Sequence, residues 1–245
     1  MRFLSSADFL LCSVFFIFLQ TNFEKIEISK EIKLMNSHEI TLKNNGESVQ
    51  LDPYFKHSTN GEAVDFETNV SLKSDYEYLH ITFECFQDDF VRENNMVIHN
   101  DPLYNQEVFE VFISPGNEVS KHYLEIEINP NNALWVGTIN NPTLGEETQT
   151  LEGMVSHEDT GIAHEAIKSE NSWNGKLSIP WKLIGKDAKG QYRINFYRIR
   201  SNQSHKDANW ACDSETCDFL CWSSTLSGES PAFHRPKRFG FLTVE

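Results

Sequence analysis

The chain has 245 residues, 39% of them hydrophobic and 12% aromatic. That is enough to bury one sizeable core, and it excludes a disordered chain. Lys and Arg number 21 against 36 Asp and Glu, a formal net charge of −15. This balance repels phosphate backbones and anionic lipid, and no run of Lys and Arg offsets it, so nucleic-acid and membrane-surface partners are excluded.

In chain order, Met1 and Arg2 precede an apolar run, residues 9–19 (FLLCSVFFIFL). Its length suits a signal-peptide core and is too short to span a bilayer as a helix, so residues 1–22 are expected to direct export. Residues 23–50 read as a lead-in strand or arm. From residue 51 to 245, short segments rich in Val, Ile, Phe and Tyr recur between turn signals. Strands are expected at 63–72, 78–86, 108–113, 123–129, 134–139, 176–179, 192–200 and 239–244. Tyr123, Glu125 and Glu127 alternate with Leu124, Ile126 and Ile128, placing the two sets on opposite faces. Asn60-Gly61, Pro115-Gly116-Asn117, Asn129-Pro130 and Asn140-Asn141-Pro142 punctuate the runs. Single helical turns are expected at 167–170 and 181–184. About eight to ten strands in one domain indicate an all-β, antiparallel sandwich of immunoglobulin or jelly-roll type.

Beyond the export segment lie Cys85, Cys212, Cys217 and Cys221. Four cysteines allow three pairings, and sequence does not choose among them. Alternation places Cys85 on an apolar strand face as a buried thiol. The Cys212–Cys217–Cys221 cluster lacks the C-x2-C knuckle of structural zinc sites, which favours a loop disulfide over zinc held with His205 or His234. Asn69 and Asn202 open glycosylation sequons. His99, His122, His157, His164 and His205 are scattered and read as surface, and Trp135, Trp173 and Trp181 as core or edge packing.

The nucleotide-binding, esterase-elbow and zinc-protease signatures are missing. Glu125 and Glu127 share a strand face and form the one candidate carboxylate pair for glycoside hydrolysis. Aromatic residues beside polar groups suit a sugar, whose ring offers a C–H face and a rim of hydroxyls. Such groupings are Tyr104 ahead of Glu107 and Glu110, Tyr197 with Arg198 and Arg200, and Trp222 with Phe233 and His234.

In order and spacing, several segments carry a resemblance. They are LDPYF at Leu51, SDYEYLHITFECFQDD at 74–89, HNDPLYNQEVFEVFISPG at 99–116, HYLEIEINP at 122–130, GKLSIPWKLIG at 175–185, QYRINFYRIR at 191–200 and FHRPKRFGFL at 233–242. Together they resemble a family 9 carbohydrate-binding module, a sugar-binding sandwich found attached to xylanases and in stand-alone secreted proteins. The resemblance implies a non-catalytic, extracellular or periplasmic, monomeric binder of a glycan such as xylan or cellulose, with no cofactor beyond structural calcium. It implies two aromatic walls at Tyr104 and Phe233 and a hydroxyl ligand at Glu110, with Glu107 matching the preceding Asp. Glu127 stands where the family's sugar binder has arginine, Tyr197 where it has glutamine, and Lys176 where it has an acid. Arg198, Arg200 and His234 are the donors available to compensate, and Trp222 completes the expected sugar site. Asp88 and Asp89, at a strand end, are the expected calcium ligands. The related DOMON-type sandwiches supply a second reading, haem held by Met96 or Met154 with His164 or His122. A scaffold that has lost binding is a third.

Overall fold

The computed structural model describes residues 38–147, 149–185, 187–207 and 210–245. The expected signal peptide and the lead-in up to residue 37 lie outside the described residues. His38–Glu245 forms a compact unit of two sheets.

The first sheet runs, in spatial order, β1 (Glu39–Leu42), β14 (Gly240–Val244), β12 (Gly190–Ser201), β6 (Val108–Pro115), β7 (His122–Ile128), β8 (Leu134–Asn140) and β9 (Thr150–Met154). On the side of β12 away from β6, past the end of β14, β13 (Cys217–Cys221) also pairs with β12 and carries β3 (Lys56–His57). The second sheet runs β10 (Ala163–Lys168), β11 (Trp173–Pro180), β5 (Tyr78–Cys85), β4 (Thr68–Ser74) and β2 (Val49–Gln50). Every pairing is antiparallel except β1 on β14. The architecture is the expected all-β sandwich.

The two sheets read differently in sequence because their outer faces meet different surroundings. In β5, Leu79, Ile81, Phe83 and Cys85 are buried while Thr82 and Glu84 are exposed, the alternation of a sheet with one wet face. In β6 and β12 nearly every residue is buried, because loops and a second apolar cluster cover the outer face of the first sheet. Phe109, Val111 and Ile113 point into the sandwich; Val108, Glu110 and Phe112 point away. Phe83 stacks on Phe109 across the interior at 4.0 Å and meets the Trp173 ring edge-on. The Phe83–Phe109 contact joins the two sheets, and Trp173 braces Phe83 from the neighbouring strand of its own sheet.

Several expectations change. The sandwich starts at His38 rather than at residue 51, since β1 and β2 belong to its sheets. Residues 63–67 stay outside β4, held by turns and a single bridge from Ala63 to Lys56. Of the helical turn expected at 167–170, Ile167 and Lys168 instead end β10 and residues 169–170 enter the connection to β11, because edge pairing with β11 satisfies backbone groups that a lone turn leaves open. The turn at Trp181–Ile184 forms as expected and stops at Gly185, in the left-handed region at φ 92°. Cys212 and Cys217 form a disulfide with Cα atoms 5.5 Å apart, whereas Cys85 and Cys221 are buried thiols. Burial raises the pKa of Cys85 to about 12, leaving it unreactive.

Candidate functional site

The outer face of the first sheet forms the floor of a cleft of about 940 Å³, within the size range of small-molecule sites. Strand parity builds the floor. Glu110 of β6 sits opposite Glu127 of β7, Glu125 lies two residues back on the same face, and Trp135 is the register partner of Glu127 on β8. Two loops supply the walls. Tyr104, in the turn before β6, is 48% exposed. Phe233 and His234, in the loop before β14, line the same cleft.

Phe233 is set from behind. Tyr197 of β12 stacks on its ring at 4.4 Å and donates its hydroxyl to the Phe233 carbonyl at 3.0 Å. Tyr197 itself is fully buried, so it props the wall and does not reach the cleft. His234 is held by a chain of polar groups. Asn141 donates to the Tyr123 hydroxyl and to the His234 carbonyl, and Tyr123 bonds His234 Nδ1 at 2.7 Å. With Nδ1 accepting, the Nε2–H points toward Glu125, whose Oε2 is 4.0 Å away. Burial pulls the His234 pKa down to about 4, so the imidazole is neutral. Gly145 locks the neighbouring loop: at φ 96° its Cα lies so close to His234 that an added Cβ would sit 2.5 Å from that residue's carbonyl.

The three carboxyls are nearly dry. Burial drives Glu110 and Glu127 well above the ordinary glutamate range, with neighbouring carboxyls adding to both. Burial raises Glu125 to about 8. At neutral pH these groups hold protons, and a protonated carboxyl both donates and accepts hydrogen bonds, as a sugar hydroxyl does.

Tyr104, Glu110, Phe233 and His234 thus converge on one cleft, with Glu127 beneath them. Other expected residues lie elsewhere. Arg198 points inward, where it donates to the carbonyls of Glu67 and Phe86 and meets Asp88 at 3.3 Å. Parity explains this, since Arg198 follows Tyr197 and must face the other way. Arg200 is spent on Asp218 at 2.7 Å, and Lys176 pairs with Glu165 on the second sheet. Trp222 is core, edge-on to His38 and Phe196. Glu107 is buried off the cleft against His205, 2.7 Å away. Burial opposes charge on His205, but the Glu107 bond leaves its pKa raised. With Cys212 and Cys217 disulfide-bonded as well, the zinc arrangement is ruled out.

Asp88 and Asp89 do not fit a calcium ion. Asp88 Oδ2 takes the Trp173 indole N–H and the Arg198 guanidinium, whose charge would repel the ion, and Asp89 faces solvent. For haem, Met154 borders the cleft, but Met96, His164 and His122 do not line it, so no Met and His face each other there. The scattered-histidine expectation also fails, because His99, His157 and His164 meet in one cluster.

Sequence reasoning missed Trp135 and the Asn141–Tyr123–His234 chain. A signal for Trp135 was present in Gly137, two residues on and on the same face: a Cβ there would lie 2.5 Å from the indole, so glycine lets the ring lie flat along β8. Nothing local marked Asn141, whose partners lie far along the chain.

No family model matches the chain. A relative from Arthroderma benhamiae named "Extracellular protein" is 24% identical over 155 residues, 58% of this chain and 67% of its own length. Among solved structures, a candidate carbohydrate-binding protein from Bacteroides uniformis aligns with a TM-score of 0.57 and 16% identity, over 85% of this chain and 99% of the other. A family 9 carbohydrate-binding module from Caldicellulosiruptor kristjanssonii, in complex with glucose, aligns at 0.51 with 11% identity over 84% of this chain and 95% of its own. The cellotriose complex aligns at 0.51 with 13% identity, over 84% and 93%. The fold is that of family 9 carbohydrate-binding modules. Among the described residues no helix is long and apolar enough to cross a membrane.

Proposed function

We propose that this chain is an extracellular, non-catalytic carbohydrate-binding protein that holds a neutral sugar ring in the cleft on the outer face of its first sheet. The observation that carries the reading is the meeting of Tyr104 and Phe233, far apart in sequence, at one cleft floored by buried glutamates. Tyr104 offers an exposed flat face to the C–H side of a pyranose. Phe233 and Trp135 supply further apolar wall, and Glu110, Glu125 and His234 address the hydroxyl rim.

Charge narrows the ligand class. A uronate would bring an ionised carboxylate onto a buried floor whose glutamates are protonated and whose imidazole, His234, is neutral, so nothing on that floor offsets the loss of its hydration. Neutral sugars carry no such penalty. The same electrostatics argue against hydrolysis: a retaining or inverting mechanism needs one ionised carboxylate beside one acid, and here all three pKa values are pushed upward. The name of the Arthroderma relative and the apolar N-terminal run support the extracellular placement.

Calorimetric titration of the full chain with glucose, cellotriose and a uronic-acid oligomer tests the reading. Cellotriose binding should weaken about tenfold in Tyr104→Ala, equivalent to about 1.4 kcal/mol. Tyr54→Ala, an equally exposed tyrosine away from the cleft, should bind as the parent does. Equal affinity in parent and Tyr104→Ala would remove Tyr104 from the site, and no heat with any neutral glycan would sink the proposal.

A further inference from the structure

Away from the sugar cleft's floor, three imidazoles converge from separate segments. His99 lies in the loop that leads to Tyr104, His157 in the one-turn helix His157–Thr160, and His164 is the second residue of β10. One ring nitrogen from each lies within 4.8 Å of the others. His157 Nε2 and His164 Nε2 are 2.9 Å apart, and the His99 and His157 rings stack at 3.7 Å.

The hydrogen bonds determine where the lone pairs are. His164 Nδ1 is 2.9 Å from the Asn132 side-chain oxygen, which only accepts, so Nδ1 carries the proton and Nε2 is bare. A histidine whose outer nitrogen donates to an oxygen while its inner nitrogen is free has the arrangement that orients metal ligands. The His157–His164 contact then has one proton between two nitrogens. An ion bound at about 2.0–2.1 Å from each would take that proton's place, His157 carrying its proton on Nδ1 instead, and tetrahedral geometry sets the nitrogens about 3.4 Å apart. The required opening is small. His99 is the weaker partner, because its Nδ1 accepts the Leu134 N–H at 3.0 Å and its ring lies flat on His157. It must turn to contribute.

We propose that His157 and His164, with His99 as third ligand, form a binding site for a divalent transition-metal ion of the zinc class. Imidazole nitrogen suits such ions, whereas calcium and magnesium prefer oxygen. Position gives the ion a structural role. It would tie the crossover between β9 and β10 to the loop ahead of Tyr104, which Asn100 already fastens to the Val155 carbonyl and the Val136 N–H. The inference does not depend on sugar binding.

The test uses full-length chain stripped with chelator and titrated with Zn2+, with Co2+ absorption and thermal melting as further readouts. The expected result is one equivalent of Zn2+ per chain, a higher melting temperature with the ion, and a visible Co2+ band from nitrogen ligation. His164→Ala and His157→Ala should each lose the equivalent and the band. His99→Ala should weaken binding by about tenfold or more. His122→Ala, paired with Glu152 elsewhere, should keep the equivalent. Circular dichroism and metal-free melting show that each variant is folded; His157, on a short surface helix, provides the second arm if His164→Ala does not fold. Failure of the parent to take up a stoichiometric ion, or an undiminished equivalent in folded His157→Ala, would overturn the site and leave only diffuse binding to acidic surface.

Discussion

Glu125 shows how one residue's surroundings set its chemistry. An ordinary glutamate loses its proton near pH 4.5, but burial in the cleft floor raises this one to about 8. The folded chain therefore keeps a proton that the unfolded chain releases. The associated stability is complete below about pH 4.5, declines as pH rises, and is lost once pH passes about 8. Glu125→Gln removes the titration while keeping the shape. It should melt at about the parent's temperature at pH 5 and at least about 2–4 °C higher at pH 8.5, the shift that about 1 kcal/mol produces in a chain of this size. Melting curves at both values decide it; a gap that does not widen with pH would mean the carboxyl is already ionised in the folded state. Tyr104 and Phe233 make a further contrast at this scale. The first is half exposed where it lines the cleft, while the second is backed by Tyr197 and packs in the buried cluster behind it.

Among the elements, β8 does the most to shape the cleft. It presents Trp135 to the outer face and then Gly137, over which the indole lies. A methyl group at Gly137 would also come within 2.7 Å of the Leu151 side chain on the neighbouring β9. Both obstructing groups are ends of movable side chains, so the strand should survive and the wall should shift. Gly137→Ala is expected to weaken cellotriose binding several-fold while costing about 1–3 kcal/mol of stability. Calorimetry paired with urea unfolding reads both; intact affinity would show that Trp135 does not touch the ligand. β6 and β12 place their residues by the same two-residue rule. Adjacent positions Tyr197 and Arg198 therefore go to opposite faces, one behind the cleft and one into the sandwich.

At the scale of the molecule, Arg198 and Asp88 bind the first sheet to the loop after β5. Both side chains are fully buried, and the guanidinium also takes two backbone carbonyls and the Thr68 hydroxyl. Burial raises Asp88 to about 6 even though Arg198 pulls the other way. Removing one partner strands the other. Arg198→Met should cost about 3–5 kcal/mol, and adding Asp88→Asn should recover part of it. Chemical denaturation of the two single variants and the double closes the cycle. Additive losses would show that the two groups stabilise the fold separately.

The chain's own alternation was sufficient for the sandwich, for Cys85 in the interior and for Glu125 and Glu127 on one face, because side-chain direction along a strand is a local property. The resemblance in segment order led to Tyr104, Glu110, Phe233 and His234, which do share a cleft. Local reading went wrong where direction had to be combined with register. Arg198 and Trp222 sit beside the right residues in sequence and inside the core in space. It also could not choose among partners set by tertiary packing: Asn141 with His234, Cys212 with Cys217 rather than Cys221, and three histidines from three separate segments. Sequence by itself determined which residues can alternate into a strand. Only the tertiary structure decided which strands lie side by side and which loops close over them, since those distances depend on packing of the whole chain and not on any one segment.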